Sequence, residues 1–138
     1  MDRSDLLAAA CRRHGVAAVY LFGSRADDGK KVLAGDPVPA AASDLDVGVV
    51  FVDPRFQPRL LRCLQLDLDE VFEPLRVDLV PLQRLDALFQ FEAIDGHRVA
   101  APDPLAADEY ELLVMRRAAE LLPIERALER DMFGVSTA

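Results

Sequence analysis

The strongest constraint in this chain is a change of hydrophobic period between residues 43 and 81. In "SDLDVGVVFV" (43–52), Leu45, Val47, Val49 and Phe51 fall on one side, and Asp44, Asp46, Gly48 and Val50 on the other. That alternation is the period of a strand. From Arg59 onward Leu61, Leu64, Leu68, Val71 and Phe72 recur at helical spacing, and Pro74 comes next. The pattern predicts an amphipathic helix. "LRVDLVP" (75–81) then returns to alternation, with Val77 and Leu79 on one face and Asp78 on the other. A strand, a helix and a strand in succession call for a layer of helix against sheet.

The flanking segments extend that layer. Ser4 to His14 reads as a helix with Ser4 as N-cap and Gly15 as its stop. "VAAVYLFGS" (16–24) reads as a buried strand. Residues 25–43, rich in Gly, Pro and Ala, predict one short helical turn and then a mobile loop. "LQRLDALFQFEAIDG" (82–96) predicts a helix up to Gly96, and "HRVAAPDP" a connector with a short edge strand. A final helix is expected from about Leu105, kinked at Pro123, with Leu112, Leu113, Met115, Ala119 and Leu122 covering the sheet. Residues past Pro123 are surplus to a three-strand core and are expected to meet a partner chain or a second copy. The tail from Gly134 is expected to fray. The fold class is α/β (α+β): a small mixed sheet flanked by helices, in one domain over residues 1–138. Its core spans about 16–102 and its C-terminal helical segment about 105–133.

Composition narrows the function. Sixteen basic and 24 acidic side chains give a net charge of −8, which argues against bulk binding to a nucleic acid backbone. Acidic clusters do hold hard cations. Cys11 and Cys63 lack a second cysteine at metal-ligand spacing and read as buried free thiols. No apolar run reaches membrane-spanning length and no secretory leader is evident, so a cytoplasmic protein is the expectation.

The tripeptide Asp-Leu-Asp occurs twice, at 44–46 and at 67–69. On a strand, residues i and i+2 point the same way with Cα atoms about 7 Å apart. Asp44 and Asp46 would therefore project together and repel unless a divalent cation lies between them. On a helix, i and i+2 diverge by about 200°, so Asp67 and Asp69 read as a solvated face. The first pair also has a plain reading, as charges that deter edge-strand pairing. Gly23 and Ser24 end the preceding strand, in a turn that lets a phosphate approach closely. Asp78 is the single charge in "VDLV". Should its strand lie beside that of Asp46, three carboxylates would face a glycine-serine turn, an arrangement suited to two-metal phosphoryl or nucleotidyl transfer. His14 and His97 are isolated, and Tyr20 and Tyr110 read as packing residues.

"LFGSRADDG", "SDLDVGVV" and "RVDLV", in this order, resemble the polymerase-β-like nucleotidyltransferase superfamily, and most closely its small stand-alone (minimal) members. The later "FEAIDGHRVAAPDP" resembles the stretch beyond the core there. The resemblance covers about residues 16–102. It implies that Gly23 and Ser24 bind nucleotide phosphates and that Arg25 touches them. It implies that Asp44, Asp46 and Asp78 are the catalytic and metal-holding carboxylates, with two Mg²⁺ ions and ATP as nucleotide substrate. The spacer between Ser24 and Asp44 is longer than is usual in that family. Its excess (30–43) reads either as a lid carrying Lys30 and Lys31 or as a neutral surface insertion. Many minimal members accompany a HEPN-domain toxin as its antitoxin, and some transfer AMP to it. The resemblance thus implies an adenylyltransferase acting on a HEPN partner. Two alternatives stay open: an antitoxin that works by occlusion, and a transferase for a small hydroxylated compound of the aminoglycoside kind. The latter usually needs a second domain that this chain has little room for.

Overall fold

The structure is a computed structural model describing residues 1–39 and 43–133. Helix α1 (Arg3–His14) leads into strand β1 (Val16–Phe22), helix α2 (Ala26–Leu33) and strand β2 (Leu45–Phe51). Next come helix α3 (Pro58–Val71), strand β3 (Val77–Pro81), a 3₁₀ turn (Leu82–Arg84), helix α4 (Ala87–Ile94), strand β4 (His97–Ala100) and helix α5 (Pro104–Phe133). The four strands form one mixed sheet in the order β3-β2-β1-β4, with β2 and β3 parallel and the other pairs antiparallel. The parallel pair is the strand-helix-strand unit legible in residues 43–81, and its crossover is α3.

Both faces of the central strands are covered, which is why β1 is apolar throughout rather than alternating. Val19, Leu21, Val47 and Val49 pack in one cluster with Leu7 and Cys11 of α1 and Leu64 and Leu68 of α3. Ala18, Tyr20 and Val50 pack in the second with Leu82, Ala93 of α4 and Ala107 of α5.

Several boundaries differ from the sequence expectation. The N-cap of α1 is Asp2, not Ser4: its carboxylate accepts from Asp5 N at 2.8 Å. Gly15 closes the helix in the left-handed region (φ 66°) as expected. Helix α2 runs for two turns rather than one. It buries Ala26, Gly29 and Val32, and residues this small leave no apolar stripe to read. A Cβ at Gly29 would lie 2.8 Å from a Leu21 methyl, so only glycine lets α2 approach the sheet so closely. Lys30 and Lys31 sit on the exposed side of its last turn, and the expected loop is confined to the residues between α2 and β2. Ala40, Ala41 and Ala42 of that segment lie outside the described residues, as does the tail from Gly134.

Residues 82–96 are not one helix. Leu85 is extended (φ −100°, ψ 167°), and Asp86 starts α4 afresh by accepting from Phe89 N at 2.8 Å. Cys63 is exposed while Cys11 is buried, because α3 turns Leu64, Leu68 and Val71 inward and Cys63 lies a step off that stripe.

Helix α5 covers the sheet with a different face from the one expected. Leu112, Leu113 and Met115 are exposed, whereas Ala107, Val114 and Ala118 are buried. Small residues let the helix lie close, and two polar ones fix it. Tyr110 donates to Gln90 Oε1 at 2.8 Å, and Glu111 accepts from the fully buried Tyr20 hydroxyl at 2.9 Å and from Arg98 at 2.6 Å. The helix continues through Pro123 to Phe133. No helix among the described residues is long and apolar enough to cross a membrane.

Candidate active site

Sheet register brings three chain segments to one edge. Phe22 of β1, Asp46 of β2 and Asp78 of β3 are direct neighbours across the sheet. The parallel pairing of β2 with β3 thus sets Asp46 beside Asp78. Gly23 continues β1 with φ 75°. Its backbone turns directly over Asp46, so that a Cβ there would overlap the Asp46 carboxylate. Glycine is therefore required twice at this position, by its torsion angle and by the carboxylate beneath it.

Asp46 is half-buried and Asp78 exposed. The Asp46 carboxyl is pushed above the usual carboxylate range, first by burial, then by the charge of Asp78, a hydrogen bond between the two carboxyls, and the charge of Asp44.

Asp44 stands apart. It lies one residue before β2 begins, so strand alternation does not govern its direction. Its side chain is 51 % exposed, and its Oδ1 lies 3.8 Å from Arg76 Nε. Among the described residues, no three acidic, histidine or cysteine side chains are gathered closely enough to grip an ion. The donor set nonetheless suits a hard divalent cation: oxygen ligands only, in mutual repulsion, at a strand end open to solvent. The Arg76 contact is a loose surface pair, worth about 0–1 kcal/mol.

Ser24 is exposed beside Gly23 and opens on a cleft of about 310 Å³ lined also by Asp27, Glu92, Asp95 and His97. His97 Nε2 lies 2.9 Å from Asp27 Oδ1, tying β4 to the first turn of α2 next to the glycine-serine turn. His97 looks isolated in the sequence because its partner is 70 residues away and on another element. Arg25 does not open on this cleft: it is buried, and its guanidinium is bonded to Asp28 and to two backbone carbonyls. A wider apolar hollow of about 540 Å³ lies at the opposite end of β2, between Phe51, Phe56 and Cys63. It contains none of the site carboxylates.

The second Asp-Leu-Asp is not merely a wet face. Asp67 accepts from Arg13 at 2.7 Å and contacts His14 Nε2 at 2.6 Å, so it ties α3 to the end of α1. Asp69 accepts from Gln65 at 3.0 Å, one turn back. Burial raises the Asp67 carboxyl, but the hydrogen bonds and charges of His14 and Arg13 outweigh it and hold the group below the usual range. The same tripeptide thus has opposite electrostatics in its two settings.

A family model described as polymerase β, nucleotidyltransferase, matches residues 6–104. The fold is similar to that of a tri-AMPylated Shewanella oneidensis HEPN toxin in complex with MNT antitoxin, at a TM-score of 0.64 and 15% identity over 94% of this chain and 95% of that one. A toxin–antitoxin with AMP-PNP gives a TM-score of 0.67 at 16% identity, over 94% and 97% of the chains. A MntA–HpeT toxin–antitoxin carrying two aspartate-to-glutamate changes gives 0.68 at 15%, over 96% and 98%. None of the proteins with a curated function matches.

Proposed function

The chain belongs to the polymerase β nucleotidyltransferase family, and we propose that it transfers AMP from ATP to a protein acceptor, a HEPN-domain toxin whose antitoxin it is. The observation that carries this reading is the Asp46–Asp78 pair pressed against the Gly23 turn. Similar folds occur in complexes with an AMPylated HEPN toxin and with an ATP analogue, which supports the choice of nucleotide and acceptor.

In this reading the open backbone at Gly23 and the Ser24 hydroxyl hold the β- and γ-phosphates. Asp46 and Asp78, completed by Asp44, would hold Mg²⁺, which when bound would supply charge neutralisation and lower the pKa of a nearby hydroxyl. Asp78, the more open of the two paired carboxylates, accepts the hydroxyl proton. The acceptor oxygen bonds to the α-phosphorus, the bond from that phosphorus to the bridging oxygen breaks, and pyrophosphate leaves.

One observation favours occlusion as a second reading. Leu121, Ile124, Leu128 and Met132 are exposed on the distal part of α5 and could cover a partner without any transfer. Incubation with labelled ATP, Mg²⁺ and a HEPN-domain candidate partner, sought first in the adjoining reading frame, separates the two. Label on that protein, lost in Asp46→Ala with Asp78→Ala together with loss of neutralisation, supports transfer. Neutralisation that persists in the double variant supports occlusion and refutes transfer.

A further inference from the structure

Arg25 comes directly after Ser24, and its place invites the reading of a phosphate ligand. Its contacts point elsewhere. Arg25 is 6% exposed. Its Nε donates to Asp28 Oδ2 at 2.8 Å, one terminal nitrogen to the Ser43 carbonyl at 3.1 Å, and the other to the Pro39 carbonyl at 3.3 Å. All three nitrogens of the fork are spent on the chain's own oxygens. Among the described residues it is the one side chain that hydrogen-bonds to the backbone between residues 36 and 43.

These partners matter because of their neighbour in the chain. Ser43 immediately precedes Asp44, which lies outside the regular strand and is fixed by little else. On its other side the first anchor is Leu45 N, donating to the Arg76 carbonyl at 2.8 Å. The Arg76 side chain is itself largely exposed and loosely paired. The residue next to the phosphate-binding turn therefore grips the residue next to a metal-holding carboxylate.

We infer that Arg25 is a positioning residue, which locks the backbone entering β2 to the Gly23–Ser24 turn and so sets where Asp44 stands relative to the bound triphosphate. It acts through Asp44 and touches neither nucleotide nor metal. The three acceptors are met by three separate nitrogens of a planar fork, whereas lysine offers all its donors from a single nitrogen and does not span them in the same way. A charge that merely contacted phosphate would be replaced by lysine well.

The consequence for transfer rests on the proposed function, but the positioning itself can be read without nucleotide. Arg25→Lys and Arg25→Met are compared with the unaltered protein by hydrogen exchange and by transfer kinetics. In both variants, amides of residues 43–46 should exchange at least about tenfold faster, while those of α1 and α3 remain as before. The kcat should fall by about 10–100-fold, as for a misplacement near 1 Å, with a raised Mg²⁺ requirement and a KM for ATP within about threefold. Should Arg25→Met fail to fold, Arg25→Lys decides alone. Wild-type exchange at 43–46 in the lysine variant overturns the inference, and so does a loss confined to ATP affinity with kcat unchanged. If the unaltered protein transfers nothing, the proposed reaction fails, and the exchange data still decide whether Arg25 positions the strand entry.

Discussion

Replacing Gly23 by alanine should cost this protein both stability and chemistry, and the two costs can be separated. The residue has φ 75°, a conformation that costs an L-amino acid about 1–2 kcal/mol. The added Cβ also overlaps the Asp46 carboxylate, and relieving an overpacked contact of this kind costs about 1–3 kcal/mol more. The sum is about 2–5 kcal/mol, enough to lower the melting midpoint by about 10 °C in a chain of this size. Gly15 is the matched control: φ 66°, at the other end of β1, with nothing within 4 Å of an added methyl. Gly15→Ala should lose about 1–2 kcal/mol by the same torsional argument and keep full transfer activity at a temperature where it is folded. Gly23→Ala, assayed under equally folded conditions, should lose about 100-fold or more in kcat, because Asp46 must move. Thermal denaturation with single-turnover AMP transfer reads both quantities. Equal destabilisation of the two variants together with retained transfer in Gly23→Ala would refute the claim that Asp46 works from beneath this turn.

The same contacts dictate other outcomes. Asp67→Asn removes the negative charge that pairs with Arg13 and His14 and should lower stability by about 1–2 kcal/mol, measured by urea denaturation at pH 7. The sign of its pH dependence is that of a depressed carboxyl: the stabilisation is present above the unfolded pKa of about 3.9 and disappears as pH falls through the folded value. Asp46 has the opposite sign, because its folded pKa is raised; without metal its contribution is fullest below about 3.9 and is lost as pH rises through the folded value. Asp78→Asn removes a like charge, so the Asp46 carboxyl should titrate lower in a carbon-13 NMR experiment, and an unchanged or higher value would contradict the pairing of the two. Glu111→Ala leaves the buried Tyr20 hydroxyl without its acceptor and should cost about 1–3 kcal/mol, with faster amide exchange in α5 than in α3.

The strand-helix-strand unit and the carboxylate row were legible because period alone distinguishes β2 and β3 from α3, and because parallel pairing then places Asp46 against Asp78. Three features were hidden for separate physical reasons. Helix α2 buries only Ala26, Gly29 and Val32, and small residues carry little hydrophobic signal. The inward face of α5 is built from Ala107, Val114 and Ala118 with Tyr110 and Glu111, while its larger apolar residues Leu112, Leu113 and Met115 point to solvent. Size therefore misled the reading of its orientation. Arg25 looked like a ligand because of its neighbour Ser24, and only the fold reveals that its partners are Asp28, Pro39 and Ser43. For Asp67, the helix argument separated it from Asp46 and Asp78, yet the tie to His14 spans 53 residues and has no local signature.

The central claim is that the Asp-Leu-Asp at 44–46, and not the one at 67–69, serves a divalent ion beside bound nucleotide. Mn²⁺ binding in the presence of a non-hydrolysable ATP analogue, monitored by electron paramagnetic resonance, tests it most directly. The unaltered protein and Asp67→Asn should bind alike, whereas Asp46→Asn should lose about 10–100-fold or more in affinity, given the loss expected for a disrupted metal environment. Wild-type Mn²⁺ affinity in Asp46→Asn, or a selective loss in Asp67→Asn, would contradict the account.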